Sequence, residues 1–150
     1  MTTGPNLTEK IQSAADSHRA GQLNVAGALY QAVLNVAPAQ FDALHGLGVV
    51  ALQQGRPGDA KAFLTKAVAV RPDSADAYYN LGIAWDTLAQ YEDAVAAYDA
   101  ALRLRPAYAP AFCNRGNSLK KMNLALQARQ SFEIALVPRV TRTEGTTSSA

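Results

Sequence analysis

Apolar residues along this chain recur at intervals of three and four, and the whole pattern returns every 34 positions. Tyr78, Leu81, Gly82, Trp85 and Leu88 stand at i, i+3, i+4, i+7 and i+10, which is one stripe of an α-helix. Ala94, Ala97, Tyr98, Ala101 and Leu102 make a second stripe, and Pro106 closes it, because proline cannot continue a helix. Shifted by 34 positions, Ala26, Ala60, Ala94 and Ala128 align, as do Gly48, Gly82 and Gly116, with Ala14 in the glycine slot of the first copy. Tyr30, Leu64, Tyr98 and Phe132 align, then Val33, Ala67, Ala101 and Ala135, then Pro38, Pro72 and Pro106. A fixed period of this length marks a stack of supersecondary units.

The register predicts an N-terminal tail over 1–6 and repeats at 7–40, 41–74, 75–108 and 109–138. Each repeat holds two helical stretches of about fourteen residues, within the ordinary range for globular helices. The fold class is all-α. Strands are excluded by the period and by the alanine content, since alanine is the best helix former and poor in sheets. Gly82 and Ala94 fall where the two helices of a pair cross, and bulk there would push the backbones apart. A glycine inside a helix costs about 1 kcal/mol relative to alanine, so its recurrence implies a larger packing return. Gly21 and Gly55 occupy the break between helices, where a left-handed conformation is wanted. Ala89 and Asn123 take that place in the third and fourth copies. Asn6 with Glu9 forms a capping-box pattern at the first helix, and Asp73 and Ser74 after Pro72 are capping types.

The two ends differ. The opening helix carries Lys10, Ser13 and Ser17 at slots that are apolar elsewhere, as suits the water-facing end of a stack. The last helix is expected to run through Phe132, Ile134, Ala135, Leu136 and Val137 and to stop at Pro138. The tail at 139–150 is polar and rich in Thr and Ser, and is expected to be disordered. No solvating helix covers the final repeat, so Phe132 and Leu136 are expected at an interface. Two accounts are open: the chain is cut from a longer array, or it self-associates as a homodimer through its last repeat.

Composition narrows the classes further. With 150 residues, 49% of them hydrophobic, the chain can bury a core. A formal net charge of +2, from 14 basic and 12 acidic residues without a like-charged run, argues against a nucleic-acid binder, which clusters Lys and Arg on one face. The single Cys113 excludes an internal disulfide framework and fits a reducing compartment. There is no basic start followed by an apolar stretch, and no apolar run reaches the ~20 residues that span a bilayer. The expectation is a soluble, cytoplasmic protein without a membrane partner. His18 and His45 are the only histidines, and no Cys or carboxylate pattern surrounds them; a metal site needs three or four convergent ligands. Neither a phosphate-binding glycine loop nor a nucleophile elbow is present. No catalytic residue, metal or cofactor is expected.

The repeated residues resemble the tetratricopeptide repeat family, whose unit is a 34-residue helix–turn–helix. The third copy carries the likeness most fully, through Tyr78, Leu81, Gly82, Trp85, Tyr91, Ala94, Tyr98, Ala101 and Pro106. The second keeps Leu44, Leu47, Gly48, Ala60, Leu64, Ala67 and Pro72. The fourth keeps Phe112, Gly116, Ala128, Phe132 and Ala135, with Arg115 in place of the leucine and Val140 in place of the proline. The resemblance covers residues 7 to about 138 and implies a right-handed α-solenoid of antiparallel helix pairs.

It further implies that the first helices line a concave face that binds peptides in extended form. Carried over residue by residue, the groove positions are Gln12, Ala15 and Arg19 in the first repeat and His45, Val49 and Gln53 in the second. The third supplies Tyr79, Asn80, Ile83 and Thr87, and the fourth Cys113, Asn114, Asn117, Lys120 and Lys121. Asn80 and Asn114 share one slot, two residues before the glycine. Gln12 is similar there, while Gly46 interrupts the series. An amide offers a donor and an acceptor to a peptide backbone, or else bonds to its own helix or to water. Some members clamp a terminal carboxylate with Lys and Asn; here Ile11, Asp76 and Asn80 stand in those slots, against such a clamp. Lys120 and Lys121 are either solubilising or attract an acidic partner.

The function this implies is a protein-interaction scaffold holding an extended peptide in its groove. Two alternatives accompany it. The stretches AYYNLG and AFCNRGNSLKKMNLALQARQSFEIAL are similar to repeats of bacterial proteins related to O-GlcNAc transferase-like glycosyltransferases, which implies a substrate-recruiting arm. The other is an assembly adaptor that works through its terminal helix.

Overall fold

The computed structural model of the chain describes residues 4–136, and of residues 134–136 only the backbone. The expected stop at Pro138, the tail at 139–150 and the Leu136 side chain lie outside the described residues. Among the described residues seven helices follow one another: α1 (Leu7–Arg19), α2 (Leu23–Val36), α3 (Phe41–Gln53), α4 (Pro57–Val70), α5 (Ala75–Thr87), α6 (Tyr91–Leu104) and α7 (Ala109–Leu136). Among the described residues there is no strand.

Local chemistry sets the ends. Asn6 Oδ1 accepts from the Glu9 amide at 2.8 Å, and Glu9 Oε2 accepts from the Asn6 amide at 3.1 Å, a complete capping box. Gln40 and Ser74 cap α3 and α5 through the amides of Ala43 and Ala77. Pro57 opens α4 in the first turn, where its missing N–H costs nothing. Between the helices of each of the first three pairs, one residue takes a left-handed conformation: Gly21 at φ 76°, Gly55 at 72° and Ala89 at 58°. Ala89 does so despite its Cβ.

Each helix packs on its neighbours in chain order, and α1, α3, α5 and α7 also touch in sequence along one side. The core is a ribbon running through this stack. Tyr30, Val33, Phe41, Leu44, Leu47 and Val50 fill its first part, Leu64, Leu81 and Ala84 the middle, and Tyr98, Ala101 and Ala111 the last. The recurring glycines have the steric role their register suggests. A Cβ on Gly48 would stand 2.4 Å from Leu64 Cγ, and one on Gly82 2.5 Å from Tyr98 Cε1.

The fourth repeat departs from the expected helix pair. α7 runs unbroken for 28 residues through Asn123, the position that turns the chain in the other repeats. The reason is local. Asn123 can tolerate a left-handed turn, but Leu124-Ala125-Leu126 follow it with strong helix formers where the second repeat has Arg56 and Pro57. Nothing there stops the helix, so it continues. Among the described residues, none after Ser118 is buried.

Candidate peptide groove

The inner helices α1, α3, α5 and α7 carry a lateral series of side-chain bonds from each repeat to the next. His18 Nε2 meets Gln53 Oε1 at 2.6 Å, Asn80 Nδ2 meets His45 Nε2 at 2.9 Å, and Asn114 Nδ2 donates to Tyr79 Oη at 3.2 Å. Each of these partners lies 35 residues from the other, one more than the repeat period. That offset belongs to neighbouring inner helices set side by side, and it turns groove side chains toward one another.

His45 is the best-defined member. Its ring stacks on Phe41 with centroids 5.5 Å apart. Burial holds its imidazole below the ordinary 6.5, while Asp76 and Asp42 pull it back up and His18 and Arg71 add to the lowering. The neutral ring accepts from Asn80 at Nε2, which puts the proton on Nδ1. With one amide N–H so engaged, Asn80 keeps its carbonyl oxygen for another donor, and Asn114 is tethered alike beside Tyr79. Among the described residues, no protein group donates to the Asn80 oxygen, whereas the Tyr98 hydroxyl also lies within hydrogen-bonding reach of the Asn114 amide.

Gln12, His45 and Val49 come together around one depression of about 410 Å³, which Ile11, Ala15 and Gly46 also line. Gly46 interrupts the amide series for a steric reason: a Cβ there would lie 2.4 Å from Tyr30 Cζ, so the tyrosine ring already fills that space. Gln12 is exposed and donates to Asp16 at 3.0 Å. Tyr79 sits between Tyr98 and Tyr108, at centroid distances of 6.0 and 5.0 Å. Ile83 packs partly buried against the last core cluster, and Asn117 is exposed. Phe132 stands apart from these, 70% exposed on α7.

Lys121 is matched within the chain. Its Nζ pairs with Asp86 Oδ2 at 3.1 Å, and the fully buried Ser118 donates to Asp86 Oδ1 at 2.8 Å. This Asp86–Ser118–Lys121 cluster joins α5 to α7 and was not anticipated from the sequence; its signal was the spacing of 32 and 35 residues. A second cross-repeat cluster surrounds Asp76, which receives Arg105 Nη1 at 3.1 Å and the Tyr108 hydroxyl at 2.8 Å. The Tyr108 bond, then Arg105, hold the Asp76 carboxyl below its ordinary range, although partial burial opposes them. Burial and the bond to Asp76 push the Tyr108 hydroxyl up to about 12. Among the described residues no three His, Cys, Asp or Glu side chains converge to hold a metal, and no helix is long and apolar enough to cross a membrane.

Stacked helix pairs around a ribbon core, with one row of helices exposing a lateral polar series, define a helical-repeat interaction domain. The sequence profile described as the tetratricopeptide repeat matches residues 18–69 and 47–109, and the chain belongs to that family. A search of curated proteins returns no match. Among solved structures, the first TPR of Spaghetti (RPAP3) bound to the HSP90 peptide SRMEEVD superposes with a TM-score of 0.75 at 17% identity, over 78% of this chain and 93% of that one. MamA superposes at 0.76 and 23% identity, over 87% of this chain and 72% of that one. Both show likeness of fold. A Thermobaculum terrenum O-GlcNAc transferase mutant gives 0.70 at 32% identity over 79% of this chain, which spans 23% of that enzyme's length.

Proposed function

We propose that the protein is a non-catalytic scaffold whose inner face holds an extended internal segment of a partner protein. The observation that carries this reading is the pair Asn80 and Asn114, each tethered through Nδ2 to the preceding inner helix, which orients both amides along the groove. An oriented amide oxygen is an acceptor for a peptide N–H. Adjacent helices stand about 8–10 Å apart, which is about three residues of extended chain at roughly 3.3 Å each. The two asparagines therefore read backbone amides about three residues apart. Val49, Tyr79, Ile83 and the depression at Gln12 and His45 act on the side chains between and beyond them, with Asn117 at the far end.

The peptide is internal rather than C-terminal. Asp76 places an anion, already served by Arg105 and Tyr108, where a terminal carboxylate would need a cation. Like the SRMEEVD-bound relative, the chain offers a groove; unlike a carboxylate clamp, it presents acidic and amide groups there. A balanced charge of +2 and the lone, exposed Cys113 fit a cytoplasmic protein partner rather than nucleic acid or membrane.

The test is the affinity of a display-selected peptide for the chain and for Asn80→Ala with Asn114→Ala. Two hydrogen bonds at about 0.5–1.5 kcal/mol each predict a loss of about 5- to 150-fold. Unchanged affinity overturns the mechanism. One observation favours a second reading, the 32% identity to the O-GlcNAc transferase region: the groove would then present acceptor segments to a glycosyltransferase. Reading the genomic frame downstream for such a domain decides between them.

A further inference from the structure

Gly116 and Phe132 are two halves of a joint that the chain does not close on itself. In the second and third repeats, the residue sixteen positions after the crossing glycine fills the space above it: Leu64 over Gly48 and Tyr98 over Gly82. Phe132 stands sixteen positions after Gly116, yet a Cβ on Gly116 would meet nothing within 4 Å. The filler is intact and unused, since Phe132 is 70% exposed. The socket is unfilled along its length: Phe112, one turn before Gly116, is 66% exposed, whereas Leu44 in the same slot of the second repeat is 2% exposed. Half of the large exposed hydrophobics in the described chain lie on α7, as Phe112, Leu124, Leu126 and Phe132.

We propose that the joint closes between copies of this chain, the second half of α7 from one copy seating as the missing second helix of the fourth repeat in another. The occupant is specified by the repeat itself. The Ala128–Phe132 face carries the residues that cover a crossing glycine elsewhere in the stack, and Gly116 offers the matching socket. A straight α7 separates the two halves by about 24 Å at 1.5 Å per residue, so they cannot meet within one unbent helix. Its geometry also fixes the symmetry. Sixteen residues at about 100° each bring Phe132 roughly 160° around the helix from Gly116, so socket and filler face opposite sides. A single antiparallel partner helix cannot cover both, which excludes a reciprocal two-fold pair through α7. The contact is head-to-tail, and such contacts grow rather than close unless the rotation brings the ends together.

Complementation tests this. Gly116→Val fills the socket in space that is open in the folded chain, and Phe132→Glu removes the filler. By light scattering with size-exclusion chromatography, the full chain is expected to associate progressively with concentration and each variant alone to stay monomeric. An equimolar mixture of the two variants retains one intact joint and is expected to form a dimer that grows no further. Gly116→Cys mixed with Phe132→Cys, both in a Cys113→Ser background, is expected to give a disulfide-linked dimer. A full chain that is monomeric at every concentration overturns the proposal, as does association that both variants preserve. A mixture of monomeric variants that stays monomeric also overturns it. So does a Gly116→Cys/Phe132→Cys chain that forms its disulfide within one copy, which would mean that α7 bends at Asn123 and closes its own repeat.

Discussion

The ring of Tyr98 lies against the bare backbone of Gly82, so close that a methyl group there would stand 2.5 Å from Tyr98 Cε1. Tyr98 is 1% exposed and has no room to retreat. Gly82→Ala is therefore expected to destabilise the fold by about 1–3 kcal/mol through overpacking, even though alanine favours the helix by about 1 kcal/mol. Gly48→Ala should behave alike against Leu64. Gly116→Ala, in space that is open within one copy, should keep only the helix gain at concentrations where the chain is monomeric. Denaturant midpoints of the three variants check this, and equal midpoints for Gly82→Ala and Gly116→Ala would contradict it.

His45 is expected to make stability depend on pH. Burial lowers its folded value beneath the ordinary 6.5, so below that pH the unfolded chain binds the extra proton and the folded chain resists it. The contribution of neutral His45 is present above about pH 6.5 and is lost as pH falls toward the folded value. Denaturation between pH 5 and 8 is expected to show the slope in the parent and a smaller one in His45→Gln. An identical slope in both would assign the effect to other groups.

Asp86 separates a buried bond from an exposed ion pair. Ser118→Ala removes a hydroxyl from a fully buried site that bonds Asp86, and is expected to cost about 1–3 kcal/mol. Lys121→Ala removes a half-exposed partner of the same carboxylate, and is expected to cost under about 1 kcal/mol. Thermal or denaturant unfolding of the two variants should rank them in that order.

The repeat register carried most of the fold. Gly48, Gly82, Leu64 and Tyr98 meet as their spacing implies, Asn6 and Glu9 form their capping box, and Ala89 accepts the left-handed turn its position requires. The unbroken α7 was not legible in the repeat register, because periodicity reports which faces are apolar and not whether a turn forms. That choice rests on a few residues, and Asn123-Leu124-Ala125 lacks both a glycine and a proline. In the groove, the family resemblance gave the positions but not their mutual engagement. The bonds of Asn80 to His45 and Asn114 to Tyr79 depend on the sideways offset of neighbouring helices, which a single repeat does not contain.

The turn can be supplied. Asn123→Gly with Ala125→Pro copies the Gly55-Arg56-Pro57 arrangement into the fourth repeat. This variant is expected to fold the second half of α7 back, cover Gly116 with its own Phe132, raise the melting midpoint and shorten the particle. Small-angle scattering measures the last of these. An unchanged radius of gyration would mean that more than the turn residues holds α7 straight.

Whether the inner face of the solenoid holds a peptide backbone is read from backbone and side-chain amide NMR during titration with a display-selected peptide. Shifts are expected to concentrate on α1, α3, α5 and the first half of α7, with the Nδ2 resonances of Asn80 and Asn114 among the most affected. Shifts confined to α2, α4 and α6, or to the exposed end of α7, would place binding elsewhere and contradict a peptide-holding inner face.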